Sequence, residues 1–154
     1  PGFVFEAMEC LGGAGYVEES TLPRLYREAP VNSIWEGSGN IQCLDVLRAL
    51  AREPGAKELV FTEIEQARDP RLGARVAELR HALGDQAVLE SRARAIAEGL
   101  SLCLCASLLL RHAPQPVGDA FCAARLGPDR GLVYGSLMAD VDTSALIERA
   151  LPGA

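Results

Sequence analysis

The sequence predicts an all-α fold, a helical bundle. Three observations carry this. Apolar residues recur at helical spacing, most regularly as Leu72, Val76, Leu79 and Leu83. Glycine and proline fall between the periodic stretches, where helices stop and start. No alternation of apolar and polar residues persists, as it would along a half-buried strand.

The elements follow in order. Residues 3–11 read as the end of a helix, with Phe3, Ala7 and Leu11 on one face. Gly12-Gly13-Ala14-Gly15 stops it, because glycine tolerates the left-handed conformation at a helix end. Ser20-Thr21 ahead of Pro23 predicts a hydroxyl cap and a short helix that ends before Pro30. Residues 30–35 are expected to be extended or irregular. A longer helix from about Ser38 to Arg52 places Ile41, Leu44, Leu47 and Ala51 on its apolar face, and Pro54-Gly55 closes it. The next, 56–68, carries Leu59, Val60, Ile64 and Ala67. Asp69-Pro70 caps the helix that bears the regular stripe. Gly84-Asp85 marks a break or a weak point before a long helix to about His112, which Pro114 and Pro116 end. Helices at 117–126 and 143–150 complete the bundle, with a turn-rich GPDRG at 127–131. Two parts are expected: 1–54, which presents loops between short helices, and 55–154, a plain helical bundle packed on it.

Composition narrows the function. The chain has 154 residues, 49% hydrophobic and 23% charged, with a net charge of -6, which argues against a dedicated nucleic-acid binder. The longest apolar stretch, 99–110, is too short to span a bilayer, so no membrane role is expected. The five cysteines (10, 43, 103, 105, 122) form no Cys-x-x-Cys pair and read as buried, reduced thiols of a cytoplasmic protein. Cys103 and Cys105 should point to different sides of their helix, which leaves no shared metal site. The chain opens without Met and mid-element, as a piece of a longer protein would.

Three stretches could carry chemistry, and each has two readings. The glycines of ECLGGAGY either stop a helix or let backbone amides approach a pyrophosphate. Arg24 and Arg27, three apart on a helix, either form salt bridges or hold carboxylates or phosphates. Glu36, in NSIWEGSGN, is either a helix-entrance acid or a general base whose pKa is raised towards neutrality by Ile34 and Trp35. Farther on, Arg68, Arg71 and Arg75 fall at i, i+3, i+7. They make either a salt-bridged face or a phosphate-binding strip.

Taken together, ECLGGAGY, RLYRE and SIWEGSGNIQ resemble the C-terminal signature of the acyl-CoA dehydrogenase family. That signature runs Gln-x-x-Gly-Gly-x-Gly-Tyr, Arg-x-x-Arg-Asp, then Ile-Tyr-Glu-Gly-Thr-x-x-Ile-Gln, and the match holds in order and interval over residues 9–42. SIWEGSGNIQCLDVLRAL looks most like the alkylation-response (AidB-like) branch, whose C-terminal extension residues 56–154 resemble in length and style. The resemblance implies an FAD enzyme that dehydrogenates an acyl-CoA thioester. Glu36 matches the catalytic base and Gly37 the position at the thioester. Ser38 and Asn40 match FAD contacts, and Gly12-Gly13 the segment that reaches the FAD of a neighbouring subunit, so a homo-oligomer is implied. Glu9 stands where the family has Gln; an acid there loses an amide donor and repels a pyrophosphate. Ser38 and Asn40 stand for Thr and Gln, and Trp35 for Tyr. FAD is expected in the full-length protein and not on these residues alone, since the family binds it against a β-domain that this chain lacks. The isolated chain is then inactive. The branch also implies double-stranded DNA as an alternative partner for Arg68, Arg71 and Arg75, and simple oligomerisation as a third reading.

Overall fold

The computed structural model describes residues 1–127, 133–137 and 141–151. Every regular element among them is a helix: α1 (Gly2–Cys10), α2 (Gly13–Tyr16), α3 (Leu22–Glu28), α4 (Gly39–Arg52), α5 (Ala56–Glu65), α6 (Pro70–Gly84), α7 (Ala93–His112), α8 (Gln115–Leu126) and α9 (Thr143–Ala150), with 3-10 turns at Ala29–Ser33 and Glu90–Arg92. The chain forms two compact units, Pro1–Gln42 and Cys43–Ala154, which part inside α4.

In the first unit α1, α2 and α3 pack on one another, and the 3-10 turn packs on α3. The glycine run does more than stop α1. Gly12 reverses the chain at φ +56, and α2 starts at once. Gly15 is buried against α1: a Cβ there would sit 2.4 Å from the Met8 carbonyl oxygen. The expected hydroxyl cap of α3 is absent. Thr21 occupies the cap position with no side-chain bond, and Pro23 sits in the first turn as expected. Residues 30–33 are not extended. Proline fits the first turn of a helix, so Pro30 carries the chain on as a 3-10 turn.

The second unit holds the hydrophobic core. Phe61 and Ile64 of α5, Leu72, Val76 and Leu79 of α6, and Ile96, Leu100, Cys103 and Ala106 of α7 are buried together, with Cys122 of α8. The α6 stripe is as expected. On and just after α5, Ile64 and Ala67 are buried and Val60 packs on the core as expected, but Leu59 is 71% exposed and Phe61 is fully buried in its stead. Two residues turn a helix by about 200°, so a face centred on Phe61 and Ile64 leaves Leu59 opposite. The face of α4 shifts likewise, to Cys43, Leu44, Leu47 and Leu50, with Ile41 and Ala51 exposed. Gly84-Asp85 is a true break. On α7, Gly99 admits Leu79: a Cβ there would lie 2.7 Å from Leu79 Cδ2.

By length and composition, the segment Glu90–His112 that contains α7 could cross a membrane, which the twelve-residue stretch 99–110 understates. Its Ile96, Gly99, Leu100, Cys103, Ala106 and Ser107 are buried against α5, α6 and α8. A central core helix has this composition for that reason. Cys103 is buried and Cys105 exposed, as their spacing requires, and Cys122 is buried. Cys10 and Cys105 depart from the expectation that all five thiols are covered, and Cys43 is half-covered. Among the described residues no cluster of metal-ligating side chains occurs. Of the GPDRG turn, residues 128–131 lie outside the described residues.

Candidate active site

The site is a turn followed by a helix start. Backbone bonds wind the chain through the turn: Ile34 and Trp35 N–H both donate to the Val31 carbonyl at 2.9 and 3.0 Å, and Gly37 N–H donates to the Ile34 carbonyl at 3.0 Å. Ser33 Oγ donates to the Pro30 carbonyl at 2.9 Å and braces the same turn. Gly37 then leaves at φ +120, a conformation closed to side chains with a Cβ. Ser38 accepts the first helical bond of α4, from Gln42 N–H at 3.1 Å. The amides of Gly39, Asn40 and Ile41 therefore form the donor end of α4.

Glu36 lies on this turn and is exposed. Ile34 and Trp35 are 63% and 67% exposed, so they do not wall the carboxylate within this chain. From α4 the Gln42 side chain reaches the turn, where its Nε2 donates to the Glu36 carbonyl oxygen. Sequence reasoning missed it, although the motif's final Ile-Gln was in view.

The structure brings Glu36, Gly37, Ser38 and Asn40 together on the turn and first turn of α4. It places Gly12 and Gly13 at the start of α2, on the cluster that α1, α2 and α3 form. Gly12 and Gly15 have structural reasons for being glycine. Gly13 has none in this chain: a Cβ there would meet nothing within 4 Å. Arg27 is bidentate to Glu18 at 2.6 and 3.1 Å, and Arg24 holds Glu28 at 3.0 Å. The bonded Arg27 guanidinium lowers the Glu18 pKa, and Glu18 raises that of Arg27. Both arginines thus take the salt-bridge reading, and both pairs are exposed.

The donor set suits part of a flavin nucleotide. Ser38 offers a hydroxyl, Asn40 an amide, and α4 its terminal N–H groups, all suited to phosphate or ribityl oxygens. Ser38, Asn40, Gly12 and Gly13 are exposed. Exposed Glu9 works against a pyrophosphate nearby. The residues fit as one edge of a cofactor site.

Of the two readings of Arg68, Arg71 and Arg75, the pairing of Arg71 and Arg75 favours the salt-bridged face over the phosphate-binding strip. Arg68 precedes α6, ahead of its cap Asp69. Arg71 turns to Asp69 at 2.7 Å and to Asp119 of α8 at 3.1 Å. Arg75 pairs with Glu78, and its side chain is only 19% exposed. Charge pairing outcompetes open display here: Arg75 finds Glu78 one turn on, and Arg71 finds the helix cap and a carboxylate of α8.

An exposed glutamate on a turn, a following glycine of positive φ and a helix start carrying hydroxyl and amide donors make up the candidate site. Residues 3–51 match the family model described as acyl-CoA dehydrogenase, C-terminal domain, and belong to that family. Across most of its length the chain is similar to AidB of Escherichia coli K12, a protein named provisionally as an acyl-CoA dehydrogenase: 47% identity over 133 residues, 84% of this chain. Acyl-CoA dehydrogenase family member 11 of Caenorhabditis elegans is 52% identical over 48 residues, 31% of this chain. The mitochondrial short-chain specific acyl-CoA dehydrogenase of Bos taurus is 49% identical over 41 residues, 27% of this chain. The chain spans 24%, 8% and 10% of these three relatives.

Proposed function

We propose that this chain is the C-terminal part of an FAD-dependent acyl-CoA dehydrogenase, with Glu36 as the base that takes the α-proton of an acyl thioester. The observation that carries the reading is the placement of Glu36, an exposed carboxylate on a turn that ends at Gly37 and runs into the donor end of α4. An α-proton beside a thioester is weakly acidic, so its base must stand within hydrogen-bond reach and out of water when the proton moves. Ile34 and Trp35 offer apolar surface for that closure once the rest of the protein covers them. Gly37 lets the thioester approach the backbone. Gly12, Gly13, Ser38 and Asn40 contribute to the cofactor contact, and the open space at Gly13 supports a close approach there. FAD, when bound, accepts the hydride that leaves the β-carbon, so the proton on Glu36 and the hydride account for the new double bond.

Residues 1–54 are then the end of the catalytic helical domain, and 55–154 a helical extension. FAD requires donors outside this chain, and a second subunit supplies some of them in a cytoplasmic homo-oligomer. The paired state of Arg71 and Arg75 gives the DNA reading no support.

The test is Glu36→Gln in the full-length protein, challenged with short-, medium- and long-chain saturated acyl-CoA thioesters. Flavin reduction is expected to fall by about 10²-fold or more while flavin content is retained. Reduction at the parental rate would sink the assignment.

A further inference from the structure

We infer that Gln42 is a positioning residue: its side-chain amide holds the turn that carries Glu36. This inference rests on the reading of Glu36 as the base. Residues 31–37 are wound by main-chain bonds, the last of which is Gly37 N–H to the Ile34 carbonyl. Beyond it the chain passes through Gly37-Ser38-Gly39, two glycines around a serine, where the backbone has the most freedom to move. Gln42 spans this weak link. Its backbone N–H is fixed to the Ser38 carbonyl, inside α4, while its Nε2 reaches back six residues to the Glu36 carbonyl. A helix of fourteen residues thereby anchors the main chain of the glutamate itself.

The same amide explains why position 37 is doubly restricted. Besides its φ of +120, a Cβ at Gly37 would lie 3.0 Å from Gln42 Nε2. Glycine there admits the amide as well as the backbone turn. The bond is exposed, so its contribution to stability is modest. Its consequence for rate is larger, because a base displaced by about 1 Å from its line of attack can cost about 10²-fold.

The test uses full-length protein with two shape-conserving changes, Gln42→Met, which removes the side-chain amide, and Gln42→Glu, which sets a carboxylate against the carbonyl. Flavin content and spectrum report folding. Stopped-flow reduction by protiated and α-deuterated acyl-CoA thioesters reports the proton step. The expected result is a limiting reduction rate about 10- to 100-fold lower in both variants, with half-saturation little changed, a larger α-deuterium effect and an intact flavin spectrum. A parental rate and isotope effect in Gln42→Met overturns the inference. So does a loss that follows flavin content alone, which marks a purely structural bond. Glu36→Gln in parallel separates the two ideas. If it reduces flavin normally, or if no thioester reduces the parental flavin, the base reading falls and the inference with it. If Glu36→Gln is dead and Gln42→Met is unimpaired, only the positioning role is lost.

Discussion

At the scale of single residues, sequence legibility depended on what a residue needs. The motif around Glu36 was legible because spacing to Gly37 and to the upstream glycines is a property of the chain. Its apolar walls were not, because Ile34 and Trp35 precede it in sequence yet stand exposed. Adjacency along a chain fixes no enclosure in space. The cysteines make the same point. All five sit in apolar or helical text, but burial depends on which side of a helix faces the core, and only Cys103 and Cys122 are covered. Loss of solvation raises both their pKa values from 9.0 to about 11, against the opposing pull of Arg75 on Cys103 and Arg71 on Cys122. The folded state therefore keeps protons that the unfolded chain gives up above pH 9.0. Stability from these thiols is complete below that pH and is lost as pH rises towards about 11. Urea unfolding should accordingly show parental stability falling faster over this window than that of Cys103→Ala/Cys122→Ala, whatever their difference at neutral pH. Parallel pH profiles would exclude the two thiols as the cause.

At the scale of elements, helix existence was legible and helix facing less so. The α6 stripe was read correctly because its four apolar residues keep strict spacing with charged residues between them. On α5, Leu59, Val60, Phe61 and Ile64 offer two overlapping faces. The choice falls to partners the sequence does not show: α6 and α7, and Arg80, whose guanidinium lies 4.1 Å from the Phe61 ring centre while it pairs with Glu58 and Glu65. Ser107 is a second case, a buried hydroxyl in an apolar run that donates to the Glu63 carbonyl at 3.1 Å and ties α7 to α5. The start of α6 was fully legible, and it carries a tertiary contact that was not. Asp69 accepts from the N–H groups of Arg71 and Leu72 at 2.8 and 3.3 Å, and its carboxylate orients Arg71 towards Asp119 on α8. The Arg71 hydrogen bond, with the two backbone donors, holds the Asp69 pKa below 3.8. Asp69→Ala should cost about 0.5–2 kcal/mol at neutral pH. Because the depressed group stabilises only while ionised, that cost should shrink as pH falls below 3.8 and the native carboxylate takes up its proton. Denaturant midpoints at neutral and acid pH check this. An equal deficit at both would mean that the helix cap, not the charge, carries the effect.

At the scale of the whole molecule, the two units differ in what holds them. Cys43–Ala154 has a continuous core across α4 to α8. Pro1–Gln42 buries only Gly15 and Pro23 among its residues, while Phe3, Tyr16, Ile34 and Trp35 are each more than 60% exposed. Its helices are short, nine, four and seven residues, less than isolated helices need in water. The unit richest in recognisable motif is thus the poorest in packing, and the two facts have one cause. On the proposed reading, a surface that takes substrate leaves its reactive groups uncovered by its own element and would draw its ordering contacts from cover outside it. Without it, the free energy that opens α1 and α3 should be small, while α5, α6 and α7 open only with the core. Amide hydrogen exchange on the 154-residue chain should therefore show rapid labelling through residues 1–38 and slow labelling in α7, with the transition inside α4, where Leu47 is buried in the core. A protease at low concentration should cut first within the same segment and leave a resistant helical remainder. Protection in α1 or α3 equal to that in α7 would overturn this account, because the exposed side chains of the first unit would then have to draw their stability from within these residues.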